Sequence, residues 1–128
     1  MSTRALKRLS VVLGVLCTVF FVSSGFLLLC SGILHLEVAF ADDQTEFCDE
    51  LRTRALQSSA PQEIAVLLEG VVNYYPSGTK QQKGSRLDRV VERHRAAVVR
   101  DIVTHLRRTT GEDLGESPEP WIEKYVQR

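Results

Sequence analysis

Ser77 and Lys80 lie in the stretch NYYPSGTKQQKGSRLD, residues 73–88. They have the S-x-x-K spacing with which some serine hydrolases set a lysine beside a nucleophilic hydroxyl. That chemistry needs the pair on one rigid helical turn and further partners, such as the S-D-N and K-T-G elements of the penicillin-binding class. The sequence has neither element. The segment from Ser77 to Gly84 follows Pro76, holds two glycines and has no apolar anchor, so it reads as a solvated loop between helices. A phosphate loop fails as well, because Gly84 and Ser85 are adjacent with no lysine between them.

His94 and His105 are the next residues able to do chemistry. A metal ion shared between them is excluded by spacing, since eleven residues of helix separate them by about 16 Å. Each is expected to be a partly buried histidine with a local partner, and Asp101 stands four residues before His105. Cys17 and Cys30 fall in an apolar run and read as small hydrophobes. Cys48 has no second thiol in its own segment, so it is expected to be buried rather than bridged. No Ser/His/Asp or Cys/His set, ligand cluster or phosphate loop meets the requirements of a catalytic centre. The expectation is no enzyme, no cofactor and no metal.

What remains is charge. On a helical wheel begun at Leu87, the side chains of Arg86, Arg89, Arg93, Arg100 and Arg107 fall between about 200° and 260°, opposite the apolar stripe. These five are the candidate binding residues. Three readings are open: a solvated face, a face turned towards the acidic segment 42–50, or a docking surface for anionic lipid headgroups or an acidic protein. Nucleic acid is not an expected partner.

The elements that must carry these residues follow from patterning. The 128-residue chain has sixteen basic and sixteen acidic residues, and its neutrality hides charged blocks. Residues 1–36 are +3, 37–79 are −6, 80–108 are +6 and 109–128 are −3. Residues 1–10 read as a short basic cytoplasmic tail. The run VVLGVLCTVFFVSSGFLLLCSGIL, residues 11–34, is 24 residues without a charge. As a helix it spans roughly 36 Å, enough for a hydrocarbon core of about 30 Å. A transmembrane helix over residues 11–36 is therefore expected. Bases before it and six acids between Glu37 and Glu50 place the N-terminus in the cytoplasm and residues 37–128 outside, in an inner-membrane setting. The competing reading is a secreted domain, because Ala39 and Ala41 form an A-x-A pattern that allows cleavage after Ala41.

Beyond the anchor the pattern is helical. Phe47, Leu51 and Ala55 repeat at i, i+4, i+8 within residues 42–58. Pro61 opens a second helix that is apolar nearly all round and stops at Pro76. Ser85 and Asp88 make a capping box for a third helix, which runs to Thr110. Gly111 is the left-handed residue past its end, and Asp113 and Gly115 are turn residues. Pro118 starts a short last helix anchored by Trp121, Ile122 and Tyr125.

The residues Leu106, Arg107, Thr110, Gly111, Asp113, Leu114, Gly115, Pro118 and Trp121 form L-R-x-x-T-G-x-D-L-G-x-x-P-x-x-W. With the preceding YPSGTKQ…GSRLDRVVE block, this resembles the tail of uncharacterised, membrane-bound or exported bacterial HEAT-repeat-like proteins of planctomycete type. The resemblance implies a helical scaffold and no catalytic site. No repeat of about 40 residues precedes the tail, so an isolated module with a HEAT-like ending is expected. The fold class read from the sequence is all-α: one transmembrane helix, then a small bundle of three helices plus a short C-terminal helix. The function expected is a membrane-anchored protein-binding or scaffold module, with a small structural subunit of a membrane complex as the alternative. Such a subunit would assemble through its span, where Gly14 and Thr18 offer a small-residue face.

Overall fold

The computed structural model describes residues 3–126, with side chains from Ser10 to Val126. The basic side chains Arg4, Lys7 and Arg8 lie outside the described residues. The chain is all-α. Four helices, α1 (Thr3–Gln57), α2 (Pro61–Asn73), α3 (Arg86–Thr110) and α4 (Glu119–Tyr125), account for its regular structure, with no strand among the described residues. It divides between Leu36 and Glu37 into two compact units.

The first unit is the N-terminal part of α1. It is long and apolar enough to cross a membrane. No side chain from Ser10 to Leu36 is buried, and large apolar groups such as Phe20, Phe21, Leu28 and Leu29 are at least 70% exposed. The hydroxyl of Thr18 donates to the Gly14 carbonyl at 2.6 Å, which satisfies it inside its own helix. Gly14 and Thr18 are thus linked to each other along the face that the sequence offers for helix contacts.

Sequence reading placed a helix boundary near Asp42, whereas α1 continues to Gln57. The physical reason lies in the segment EVAFADD, which has no proline or glycine to break a helix. Asp42 and Asp43, at the start of the 42–58 segment, are therefore mid-helix residues.

The second unit is built around α2. Its buried face, Ile64, Ala65, Leu67, Leu68 and Val71, packs against α3 and α4. The C-terminal part of α1 adds Cys48, Leu51 and Ala55, α3 adds Val98, Ile102, Val103 and Leu106, and α4 adds Trp121. A Cβ at Gly70 would stand 3.1 Å from Leu51 Cδ1, so the absent side chain is what lets α2 lie this close to α1. The second helix is not buried all round: Val66 is 53% exposed, and Gln62 and Glu63 face water. It ends at Asn73, before the two tyrosines that precede Pro76, as expected where a proline disfavours helix in the residue before it.

The ends of α3 follow the caps in the sequence. Ser85 Oγ accepts from the Asp88 amide at 3.1 Å, and Gly111 adopts φ +71° while donating to the Arg107 carbonyl at 2.9 Å. The turn that follows is closed by the Gly115 amide donating to Asp113 Oδ1 at 3.1 Å. Trp121 is fully buried, and its indole N–H donates to the Gly115 carbonyl at 3.0 Å, tying α4 to this turn.

Candidate functional site

Ser77 and Lys80 do not form a nucleophile pair. The Ser77 hydroxyl donates to Asp88 Oδ2 at 2.6 Å. Asp88 also accepts from the Gly78 amide at 3.1 Å and the Gly84 amide at 2.8 Å. Its side chain thus reaches past the expected capping-box partner, the Ser85 amide, and gathers both ends of the 77–84 loop. Bonding to the Ser77 hydroxyl, then to the Gly84 and Gly78 amides, holds the Asp88 carboxyl below its usual range, against the opposing effect of desolvation. Lys80 is engaged elsewhere, with its ammonium 4.6 Å from the Phe40 ring centre and 4.3 Å from that of Tyr75.

The two histidines of α3 have partners on α1 and just after it. His105 Nε2 lies 2.9 Å from the Ser58 carbonyl, not on Asp101; that carboxylate instead pairs with Arg52 at 2.7 Å. The local pairing expected from the i, i+4 spacing is overturned because α1 brings a better-placed guanidinium to Asp101. His94 Nε2 stands 3.3 Å from Asp49 Oδ1 without hydrogen-bond alignment, a contact that becomes an ion pair when the ring is protonated. Among the described residues no cluster of three or more His, Cys, Asp or Glu gathers as a metal site.

The arginine face divides. Arg86, Arg89, Arg93 and Arg100 are exposed on α3. Arg89 Nη1 donates to the Gly84 carbonyl at 3.1 Å, whereas Arg86, Arg93 and Arg100 make no ion pair among the described residues. Arg107 leaves the group: it is half-buried and paired with Asp113 at 3.0 Å, because the turn after α3 folds back beside it. The face does not meet the acidic segment 42–50, whose Asp49 stands beside Arg52 and His94. On the wheel, exposed Ala96 and Ala97 fall at about 180° and 280°, one on each side of the arginine row, so the guanidinium groups are flanked by small apolar residues midway along the face.

Arg95 is the residue that the wheel should have marked. At about 80° from Leu87 it sits inside the apolar stripe, a place where a charge must have a partner. It is 8% exposed and donates through Nη2 to the Tyr74 and Tyr75 carbonyls at 2.6 and 2.7 Å, and through Nη1 to Glu92 at 2.9 Å. It thereby caps the C-terminal end of α2. Cys48 lies beside it, and burial pushes that thiol's pKa up despite the nearby guanidinium.

A groove of about 430 Å³ lies between α2 and α4. Its floor is Val72, Ile122 and Val126, and Glu69, Asn73, Glu119 and Glu123 line it. The sequence reading missed it, since its halves come from segments about 50 residues apart. Away from the groove-lining residues of α4, Glu112 receives Lys124 Nζ and the Tyr125 hydroxyl, each at 2.7 Å, and these bonds hold its carboxyl below the usual range. The described side chains thus include an exposed basic face on α3 and a groove with acidic lining between α2 and α4. Searches against family models, curated proteins and solved structures find no match to this chain.

Proposed function

We propose that this chain is a single-pass, inner-membrane-anchored helical module, N-terminus cytoplasmic, whose domain from residue 37 onward binds or scaffolds other proteins outside the membrane. The observation that carries the reading is the uncovered apolar surface from Val11 to Leu36. Nothing among the described residues covers those side chains, and lipid is the medium that stabilises them. Three bases before the run and six acids after it, within Glu37–Glu50, support the orientation.

Retention of the anchor is favoured over cleavage after Ala41. Ala41 is 6% exposed, Phe40 lies under Lys80, and buried Gln44 meets Gln81, so the A-x-A bond lies within a packed helix. A peptidase needs an extended strand at the bond it cuts.

The binding surface is the arginine face of α3. Three unpaired guanidinium groups, with a fourth held only by a backbone carbonyl, suit a carboxylate-bearing protein surface. Anionic lipid is the weaker partner, because Glu37, Asp42 and Asp43 carry like charge beside the end of the apolar run. The HEAT-like tail is in keeping with a scaffold rather than an enzyme.

A phosphatase fused after Arg128 tests the anchor and its orientation, together with alkaline carbonate extraction and intact mass. Phosphatase activity in the carbonate pellet at full length is expected. A soluble chain shortened by 41 residues, or a fusion active only with a cytoplasmic reporter, overturns the reading.

A further inference from the structure

We infer that the acidic partner of the arginine face is the α2–α4 groove of a second copy of this chain, so that copies join head to tail. The inference rests on the protein-binding reading above and names its partner. Its ground is the match between two surfaces of one domain. The groove has an apolar floor of Val72, Ile122 and Val126, with Glu69, Glu119 and Glu123 as its charged lining. The face on α3 has Arg93 and Arg100 one above the other, with Ala96 and Ala97 midway between them along the helix and to either side of their row. Both alanines and both arginines are exposed.

The dimensions agree. The eight residues from Arg93 to Arg100 span about 10 Å of helix, and the groove-lining stretch from Glu119 to Val126 spans about the same. Each surface presents one sign of charge. The acids next to Arg93 and Arg100 in sequence, Glu92 and Asp101, are paired with Arg95 and Arg52, and the base on α4, Lys124, is paired with Glu112. Charge therefore guides the helix into the groove and fixes its register, while the floor and the alanines supply the apolar contact.

Such an interface uses two different patches, so it does not close on itself in a pair. Each added copy leaves one free groove and one free helix face. Tethering in one bilayer raises the effective concentration of the copies for one another. The occupant is a second copy rather than an unrelated acidic protein because the complementary surface is already present on the same chain.

The test uses the full chain in mild detergent micelles, followed by sedimentation velocity as concentration and salt are varied. Asn73→Lys/Glu123→Lys cancels the groove's negative charge without touching the Glu119–Ser117 contact at the start of α4. Arg93→Glu/Arg100→Glu reverses the helix face. The expected result is a concentration-dependent series of dimers and larger species at low salt that dissolves as salt rises. Each variant alone should associate at least about tenfold more weakly. An equimolar mixture of the two variants keeps one intact interface, so it should form dimers and nothing larger. Near-ultraviolet circular dichroism from buried Trp121 verifies that each variant is folded.

A monomeric wild type at low salt overturns the inference. So does association that either variant leaves unchanged, which would point to contacts through the span. A mixture that stays monomeric also overturns it. None of these outcomes bears on membrane insertion, which carbonate extraction reads separately; a chain that assembles but is not inserted would overturn the anchor alone.

Discussion

Arg95 on α3 holds Tyr75 in a left-handed backbone conformation: its Nη2 is 2.7 Å from the Tyr75 carbonyl, and Tyr75 has φ +37°. A bulky residue at positive φ costs on the order of 1 kcal/mol or more, and it persists only where neighbours over-determine it. Arg95 does so by binding two successive carbonyls, while Tyr74 stacks on Phe47 with ring centres 3.9 Å apart. Arg95→Met should destabilise the domain by about 2–3 kcal/mol, because two carbonyls lose a charged donor. Arg95→Lys should recover little, since an ammonium lacks the planar fork. Urea unfolding followed by far-ultraviolet circular dichroism checks both; a loss below about 0.5 kcal/mol for Arg95→Met would show that water replaces the guanidinium.

Trp121 joins α4 to the rest of the bundle through both packing and one hydrogen bond. Trp121→Ala should cost about 3–5 kcal/mol, a large part of the stability of so small a domain. Trp121→Phe retains most of the ring burial but orphans the Gly115 carbonyl, and about 1–2 kcal/mol is the expected loss. Melting temperatures read by circular dichroism separate the two. An unchanged melt for Trp121→Ala contradicts its anchoring role.

Acid should loosen the domain by a route that these carboxylates set. Asp88 and Glu112 both have depressed pKa values in the folded state, the first chiefly from the Ser77 hydroxyl and the second chiefly from Lys124. The unfolded chain binds more protons as pH falls, so their contribution is complete above roughly pH 5 and is lost as pH drops through the folded values. Asp88→Asn and Glu112→Gln should therefore be less stable than wild type at neutral pH, and the gap should narrow in acid. Urea midpoints at pH 7 and pH 3 measure it. A gap that is equal at both pH values excludes these groups as the cause.

Lys80 and Phe40 should be energetically coupled. A cation over a ring at a part-exposed site contributes about 0.5–1 kcal/mol. A double-mutant cycle with Phe40→Ala and Lys80→Ala in the full chain should return a coupling of that size. Zero coupling would remove one of the packing arguments for keeping the bond after Ala41 intact.

Much of this architecture was legible from local pattern. Ser85, Gly111, Pro61 and Pro118 mark helix ends through rules that act over three or four residues, and the structure places those ends there. The unbroken α1 was legible too, in the absence of a breaker between Leu36 and Asp42, but acidic residues imitated a helix start. The contacts of the polar side chains were much harder to read. Asp88 reaches the Gly78 amide ten residues back, and His105 reaches Ser58 across 47 residues. Such pairings depend on how helices lie against each other, which no local rule contains. Arg107 followed the same logic: the wheel put it with the other arginines, and the turn at Asp113 drew it away.

The buried thiol of Cys48 gives the domain a built-in clock. It is 1% exposed and its pKa is raised, so a soluble alkylating reagent meets almost no reactive sulfur in the closed state. Reaction must wait for α1 to part from its neighbours, and its rate then reports how often that opening occurs. Cys17 and Cys30 lie within the apolar run, where a charged, membrane-impermeant reagent does not enter in the anchored state. In the proposed anchored state, labelling of intact membranes would therefore time the breathing of one helix seam at a single atom, with the bilayer masking the other two sulfurs.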